Sequence, residues 1–180
     1  MHRRPILDLL AAYDPFRLSD GAARDRIRTF VESFENCFDR SLLVGHVTGS
    51  AWILDRTHTR CLLTHHGKLD RWLQLGGHAD GDSDVLSVAM REAREESGLT
   101  DIRVLAPSIF DCDVHLIPGR GPEPAHFHHD VRFLFEADAD EPLVISEESK
   151  ELAWVALDEV ESLAADESVM RMVARTRSGR

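Results

Sequence analysis

The stretch from Gly76 to Leu99 (GGHADGDSDVLSVAMREAREESGL) constrains this chain more than any other. It opens on two glycines and a polar loop and closes on a charged helix that runs into a glycine. The spacing predicts a helix over Val85–Ser97, with Asp82, Ser83 or Asp84 as N-cap and Gly98 at C′. At about 100° per residue, Glu92, Glu95 and Glu96 share one face. Leu86, Ala89, Met90 and Ala93 share the neighbouring face and would pack on a core. Arg91 lies beside Glu95, close enough to orient it.

Three carboxylates one turn apart repel each other. At an effective dielectric of about 20, each like-charge pair costs roughly 3 kcal/mol. Full hydration lowers that to a few tenths. The face is therefore either a wet, bland acidic surface or a half-buried one that needs a cation. Hard oxygen donors at this spacing suit magnesium or manganese. The glycine loop, joined to the acidic run at a set distance, favours the cation.

That distance carries a family resemblance. The segment resembles the Nudix box, a glycine, five residues, a glutamate, seven residues, then R-E-apolar-x-E-E-x-G-apolar. Gly77 stands fourteen positions before Arg91, and Arg91 to Leu99 fill every specified position. Ser83 stands where the pattern has its early glutamate, which orders the loop against the arginine; Asp80, Asp82 and Asp84 are the acids at hand to replace it. The resemblance implies an α/β Nudix fold, a mixed β-sheet sandwiched between helices. It implies a Mg2+- or Mn2+-dependent hydrolase cleaving the diphosphate bond of a nucleoside diphosphate linked to another moiety. Glu92 and Glu96 would be direct ligands, Glu95 a ligand directly or through water, and the Gly76 carbonyl would complete the shell. Arg91 would hold a glutamate in place. The general base in the family often comes from a loop beyond the box, where Glu147, Glu148 and Glu151 stand; His128 and Asp130 are rivals, since a neutral histidine is a good proton acceptor near pH 7. A non-hydrolytic nucleotide- or metabolite-binding domain, or a diphosphate-ester isomerase, is the alternative that Ser83 keeps open.

A length of 180 residues suits one core with a small appendage. The formal net charge of −11 argues against nucleic acid polymers or an anionic membrane as partners. An anionic small substrate stays compatible, because a bound divalent ion inverts the local field. Cys37, Cys61 and Cys112 are scattered and odd in number, which reads as reduced core thiols in a cytoplasmic protein. Asp8 and Asp14 interrupt any signal-peptide pattern, and no apolar run could span a bilayer.

Residues 1–40 read as a helical extension packed on a main domain of residues 41–180. Ile6, Leu9, Leu10 and Tyr13 keep helical spacing before Pro15. Ile27, Phe30, Val31, Phe34, Cys37 and Phe38 make a second stripe, capped by Ser19 or Asp20. A lid or a homodimer surface is the sharper reading of these helices. Strands are expected over Leu42–Val47 and Ala51–Leu54, with Gly49 as a bend or bulge, then over Cys61–Thr64, Ile102–Leu105 and Phe110–Leu116. In the last of these Asp111, Asp113 and His115 face away from the apolar row. In HFHHD and beyond, His126, His128, Asp130 and Arg132 do the same. Pairing as a hairpin sets His115 near His128, Asp113 near Asp130 and Asp111 near Arg132. This polar face reads as substrate-binding through His128, Asp130 and Arg132, with His78 at its border and Trp72 either stacking on a base or packing at the rim. His126, His128 and Asp130 could also hold a metal, though zinc without a cysteine partner is less usual. Leu152–Leu157, apolar on both faces, reads as an interior strand. Asp158 caps a final helix to about Leu163, and Arg171, Arg175, Arg177 and Arg180 read as a fraying, solvated tail.

Overall fold

The computed structural model describes residues 2–121, 124–146, 149–163 and 166–179. In order along the chain come α1 (Arg4–Ala12), α2 (Leu18–Ser33), β1 (Gly45–Asp55), β2 (Arg60–His66), β3 (Arg71–Leu73), β4 (Leu75–His78) and α3 (Val85–Ser97). There follow β5 (Arg103–Val104), β6 (Asp111–Ile117), β7 (His126–Ala137), β8 (Ser149–Ala156), α4 (Val160–Leu163) and α5 (Glu167–Ser178).

The spine of the sheet is the parallel pair β1 and β7, in register from Gly45↔Phe127 to Asp55↔Ala137. Around it the sheet is ordered β3-β2-β1-β7-β5, while β4 pairs with β1, β6 with β7 and β8 with β2. β1 changes neighbour along its length: Thr48–Ala51 pair with β4, whereas Leu54 pairs with Cys61 of β2. β7 does likewise, pairing with β6 through Arg132 and with β5 at Phe135 and Glu136. At one end, therefore, β1 and β7 are flanked by β4 and β6, and at the other by β2 and β5.

Helices cover both faces. Val47, Ala51 and Ile53 of β1 and Val131, Phe133 and Phe135 of β7 pack with α1, α2 and α3 in one apolar cluster. Trp52, Leu54, Leu63 and Val155 pack with Val169, Met172 and Val173 of α5 in a second. The mixed sheet between helices and the helical N-terminus are as the sequence implies. All three cysteines are free and buried. Among the described residues no helix is long and apolar enough to cross a membrane.

Several local expectations change. β1 is continuous, and Gly49 is neither bend nor bulge. A Cβ there would lie 2.8 Å from the Val85 carbonyl oxygen, so the glycine is what lets α3 lie against the sheet. Leu42–Val44 precede the strand rather than joining it. α2 stops at Ser33, so Phe34, Cys37 and Phe38 leave the helix although Cys37 and Phe38 remain buried; Phe34 already has an extended backbone. Asp20 is not the N-cap but sits one turn in, accepting the Phe16 and Arg17 N–H groups. β8 is paired only with β2 among the described residues, so it is not interior. Its two apolar faces report helices above and below the sheet, not strands on both sides.

The largest change is at the C-terminus. α5 is a packed helix, and Arg171 and Arg175 are buried. Arg171 donates to both carboxylate oxygens of Asp111 at 2.8 Å, and Arg175 donates to the Tyr13 hydroxyl and the Asp14 carbonyl. The apolar residues Val169, Met172 and Val173 around the arginines were the signal of a buried face.

Candidate active site

α3 follows its sequence closely. Asp84 is the N-cap, accepting the Ser87 N–H, and Gly98 ends the helix with φ 72°. Val85, Val88, Ala89 and Ala93 are buried, with Leu86 and Met90 packed at the margin of the core. The three glutamates do not share one environment. Glu96 is buried and accepts the Gly76 N–H at 2.9 Å. Glu92 is half-buried and lies over Gly77, where a Cβ would come within 2.3 Å of its Oε2. Glu95 is exposed, with 63% of its side chain open to solvent.

Arg91 is turned toward Glu92 rather than Glu95. Its Nη2 donates to Glu92 Oε1 at 2.7 Å and to the His78 carbonyl at 2.8 Å, whereas Glu95 lies 3.9 Å from its Nε. The guanidinium therefore ties helix to loop. Burial, the largest influence on Glu92, raises its carboxyl above the usual range even against the Arg91 hydrogen bond. A carboxylate in that position has room for a further positive partner. The donor set of Glu92, Glu95, Glu96 and the Gly76 backbone is all hard oxygen, which fits magnesium or manganese.

The loop keeps its order although Ser83 replaces the early glutamate. Asp80 pairs with Arg40, Asp82 accepts the Asp84 N–H, and the Gly81 N–H donates to the Phe38 carbonyl. None of these acids reaches Arg91 by a hydrogen bond; the loop is tied to the N-terminal segment instead.

The hairpin register agrees with the sequence reading: Asp111↔Arg132, Asp113↔Asp130 and His115↔His128. Its chemistry differs. Arg132 is 2% exposed and is spent on carboxylates, Asp130 at 2.7 Å, Asp111 at 3.0 Å and Asp113 at 3.5 Å. Asp130, also 2% exposed, accepts from Thr48 Oγ1, Ser50 Oγ, Gln74 Nε2 and Arg132 Nε. Four donors occupy the lone-pair sites of one carboxylate. Asp130 and Arg132 are thus part of a buried ionic network, with their hydrogen-bonding groups directed at one another and at neighbouring side chains. Burial acts to raise Asp113, but the His115 hydrogen bond and the Arg132 charge outweigh it and hold that carboxyl well below the usual range.

Toward the β4 and β6 end of the sheet the face turns to imidazole. His46 of β1 pairs with His128 of β7, and His78 ends β4 opposite Thr48. Ring centroids lie 4.9 Å apart for His46 and His128, 5.0 Å for His46 and His78, and 5.2 Å for His78 and His128. His126 and His115 lie within 5.5 Å of His128. Asp130 is not part of this group. The sequence reading did not single out His46; the polar alternation His46, Thr48, Ser50 along β1 was the available signal.

The remaining candidates are dispersed. Trp72 stacks on His65, with centroids 5.2 Å apart and rings 14° from parallel, which is rim packing rather than an open base platform. Glu151 lies within β8 opposite His65, not in a loop. Glu147 and Glu148 lie outside the described residues.

The comparisons agree with this geometry. The NUDIX domain model matches residues 45–175. A search of curated proteins by sequence finds no match. Among solved structures, the chain is similar to an Ap4A hydrolase binary complex from C. elegans, with TM-score 0.59 and 14% identity over 74% of this chain and 96% of that one. It is similar to a NUDIX-family hydrolase from Clostridium perfringens, with TM-score 0.55 and 21% identity over 75% and 98%. It also resembles the E. coli dihydroneopterin triphosphate pyrophosphohydrolase, with TM-score 0.55 and 16% identity over 74% and 96%. At these identities the likenesses speak for the fold, and the domain match spans most of the chain. The protein belongs to the Nudix family.

Proposed function

We propose that the protein hydrolyses a phosphoanhydride bond in a small diphosphate-containing substrate, a nucleoside diphosphate linked to another group. The observation that carries this reading is the gathering of Glu92 and Glu96 over Gly76 and Gly77, with Arg91 fastening Glu92 to the loop. One of the similar structures is named an Ap4A hydrolase and another a dihydroneopterin triphosphate pyrophosphohydrolase, which supports the same bond type.

Mg2+ or Mn2+ would be held by Glu92, Glu96, the Gly76 carbonyl and, directly or through water, Glu95. When bound, such an ion neutralises phosphate charge and makes a bound water more acidic. Arg91 positions Glu92 and holds the loop at the His78 carbonyl. Glu95 stays in contact with water and is the described carboxylate best suited to take its proton; Glu151, with Glu147 and Glu148, supplies the other candidates. His78 and His128, both half-buried, border the space a substrate would enter.

A binding domain without hydrolysis has less to recommend it. That alternative drew on Ser83, and the loop is ordered by Asp80, Asp82 and Asp84 instead. The test is a panel of nucleotide sugars, dinucleoside polyphosphates and nucleoside triphosphates, assayed with Mg2+ or Mn2+. Release of a nucleoside monophosphate or phosphate from at least one class is expected. Tight binding of a panel member with no turnover would favour the non-hydrolytic reading.

A further inference from the structure

We infer that His46, His78 and His128 form a second cation site, separate from the carboxylates of α3, suited to a borderline transition ion such as Zn2+. Their ligand atoms all lie within 4.8 Å of one another, the one such group of three among the described residues. Three strands bring them together: β1 and β7 set His46 and His128 side by side, and β4 adds His78 across from Thr48.

The second observation is independent of that spacing. His46 is 2% exposed, and neither of its ring nitrogens has a hydrogen-bond partner; His128 Nε2 is likewise buried without one. Buried polar atoms are ordinarily satisfied, so two such rings with nitrogens within 4.8 Å of each other call for a shared partner. Neutral imidazole is the ligating form. Two more rings stand by. His126 donates its Nδ1–H to the Pro124 carbonyl and lies with its ring centroid 5.2 Å from that of His128. His115 is oriented through Nδ1 by Asp113, the carboxylate–histidine arrangement found behind metal ligands. Nitrogen donors select zinc, copper, nickel or cobalt, whereas the oxygens of α3 select magnesium or manganese. The site has a structural consequence as well. Arg91 holds the His78 carbonyl, so an ion on His78 would clamp the glycine loop to β1 and β7.

The test uses the full chain, stripped of metal with a chelator and titrated with Zn2+ by calorimetry near pH 7 in saturating Mg2+. Co2+ absorption serves as a second readout of nitrogen ligation. One Zn2+ per chain is expected. His128→Gln and His78→Gln should each weaken it by about 100-fold or more, while Glu92→Gln and Glu96→Gln leave it within about 3-fold. Circular dichroism and melting curves check that each variant folds. If His128→Gln fails that check, His78→Gln, at the half-buried end of β4, carries the result alone. Absence of saturable Zn2+ uptake in the presence of Mg2+ would overturn the inference. So would uptake that survives in the histidine variants and disappears in Glu96→Gln, because the ion would then belong to the carboxylates.

Discussion

Two glycines separate what holds the site from what holds the fold. At Gly77 an added Cβ meets the end of the Glu92 side chain, which can swing away; at Gly49 it meets the backbone of α3, which cannot. Gly77→Ala should therefore remove most of the hydrolytic activity while leaving the urea midpoint nearly unchanged. Gly49→Ala should destabilise the protein by about 1–3 kcal/mol through overpacking. Equal loss of stability in the two variants would show that Glu92 is fixed as rigidly as the helix backbone. His129 gives a pH signature at the same scale. It is buried and stacked on Phe30 with centroids 3.8 Å apart, and burial, followed by the Arg26 charge, lowers it from 6.5 to about 4. The unfolded chain then binds a proton that the folded chain refuses. Its contribution is intact above pH 6.5 and is lost as pH falls toward 4, by up to about 3 kcal/mol. Urea unfolding from pH 7 to 4 should show a slope to which His46 and His128, also lowered by burial, contribute beside His129, and His129→Phe should reduce it by about one proton's worth; an unchanged slope would remove His129 from the account. The acidic run of α3 and the hairpin register were legible in the sequence because period and alternation encode them. The partner of Arg91 was not, since i, i+4 spacing pointed to Glu95 and only the loop carbonyl of His78 pulls the guanidinium toward Glu92.

At the scale of elements, α5 was the least legible piece. Its arginines looked like a solvated tail because local sequence gives no sign of Asp111, sixty residues away in the chain and buried on β6. The burial of Arg132 was hidden for the same reason: alternation placed it on the polar face correctly, but alternation cannot say whether a polar face is wet. Here α5 covers part of it. Arg171→Met should leave Asp111 and Asp113 short of one positive partner and cost about 3–5 kcal/mol, as breaking a buried ion pair does. Chemical denaturation of the variant measures it. A loss below about 1 kcal/mol would mean that Arg132 alone satisfies both carboxylates.

Over the whole molecule, the N-terminal helices and α3 share one core. Ile6, Leu10, Ile27, Phe30 and Val31 sit in the same cluster as Ala89 and Ala93 of α3, and Arg40 holds Asp80 in the glycine loop. The sequence placed these helices on the main body, yet it offered no means of seeing that the segment after them reaches the loop. The central claim is that paired carboxylates over two glycines serve a divalent ion and a phosphoanhydride. Its most direct test is the Mg2+ dependence of diphosphate hydrolysis in the parent protein and in Glu96→Gln. The parent should require Mg2+ or Mn2+, and the variant should lose on the order of 10²–10³-fold in kcat/KM while keeping its fold. Hydrolysis that continues at the parent rate in Glu96→Gln, or that is indifferent to chelation of the metal, would contradict the claim.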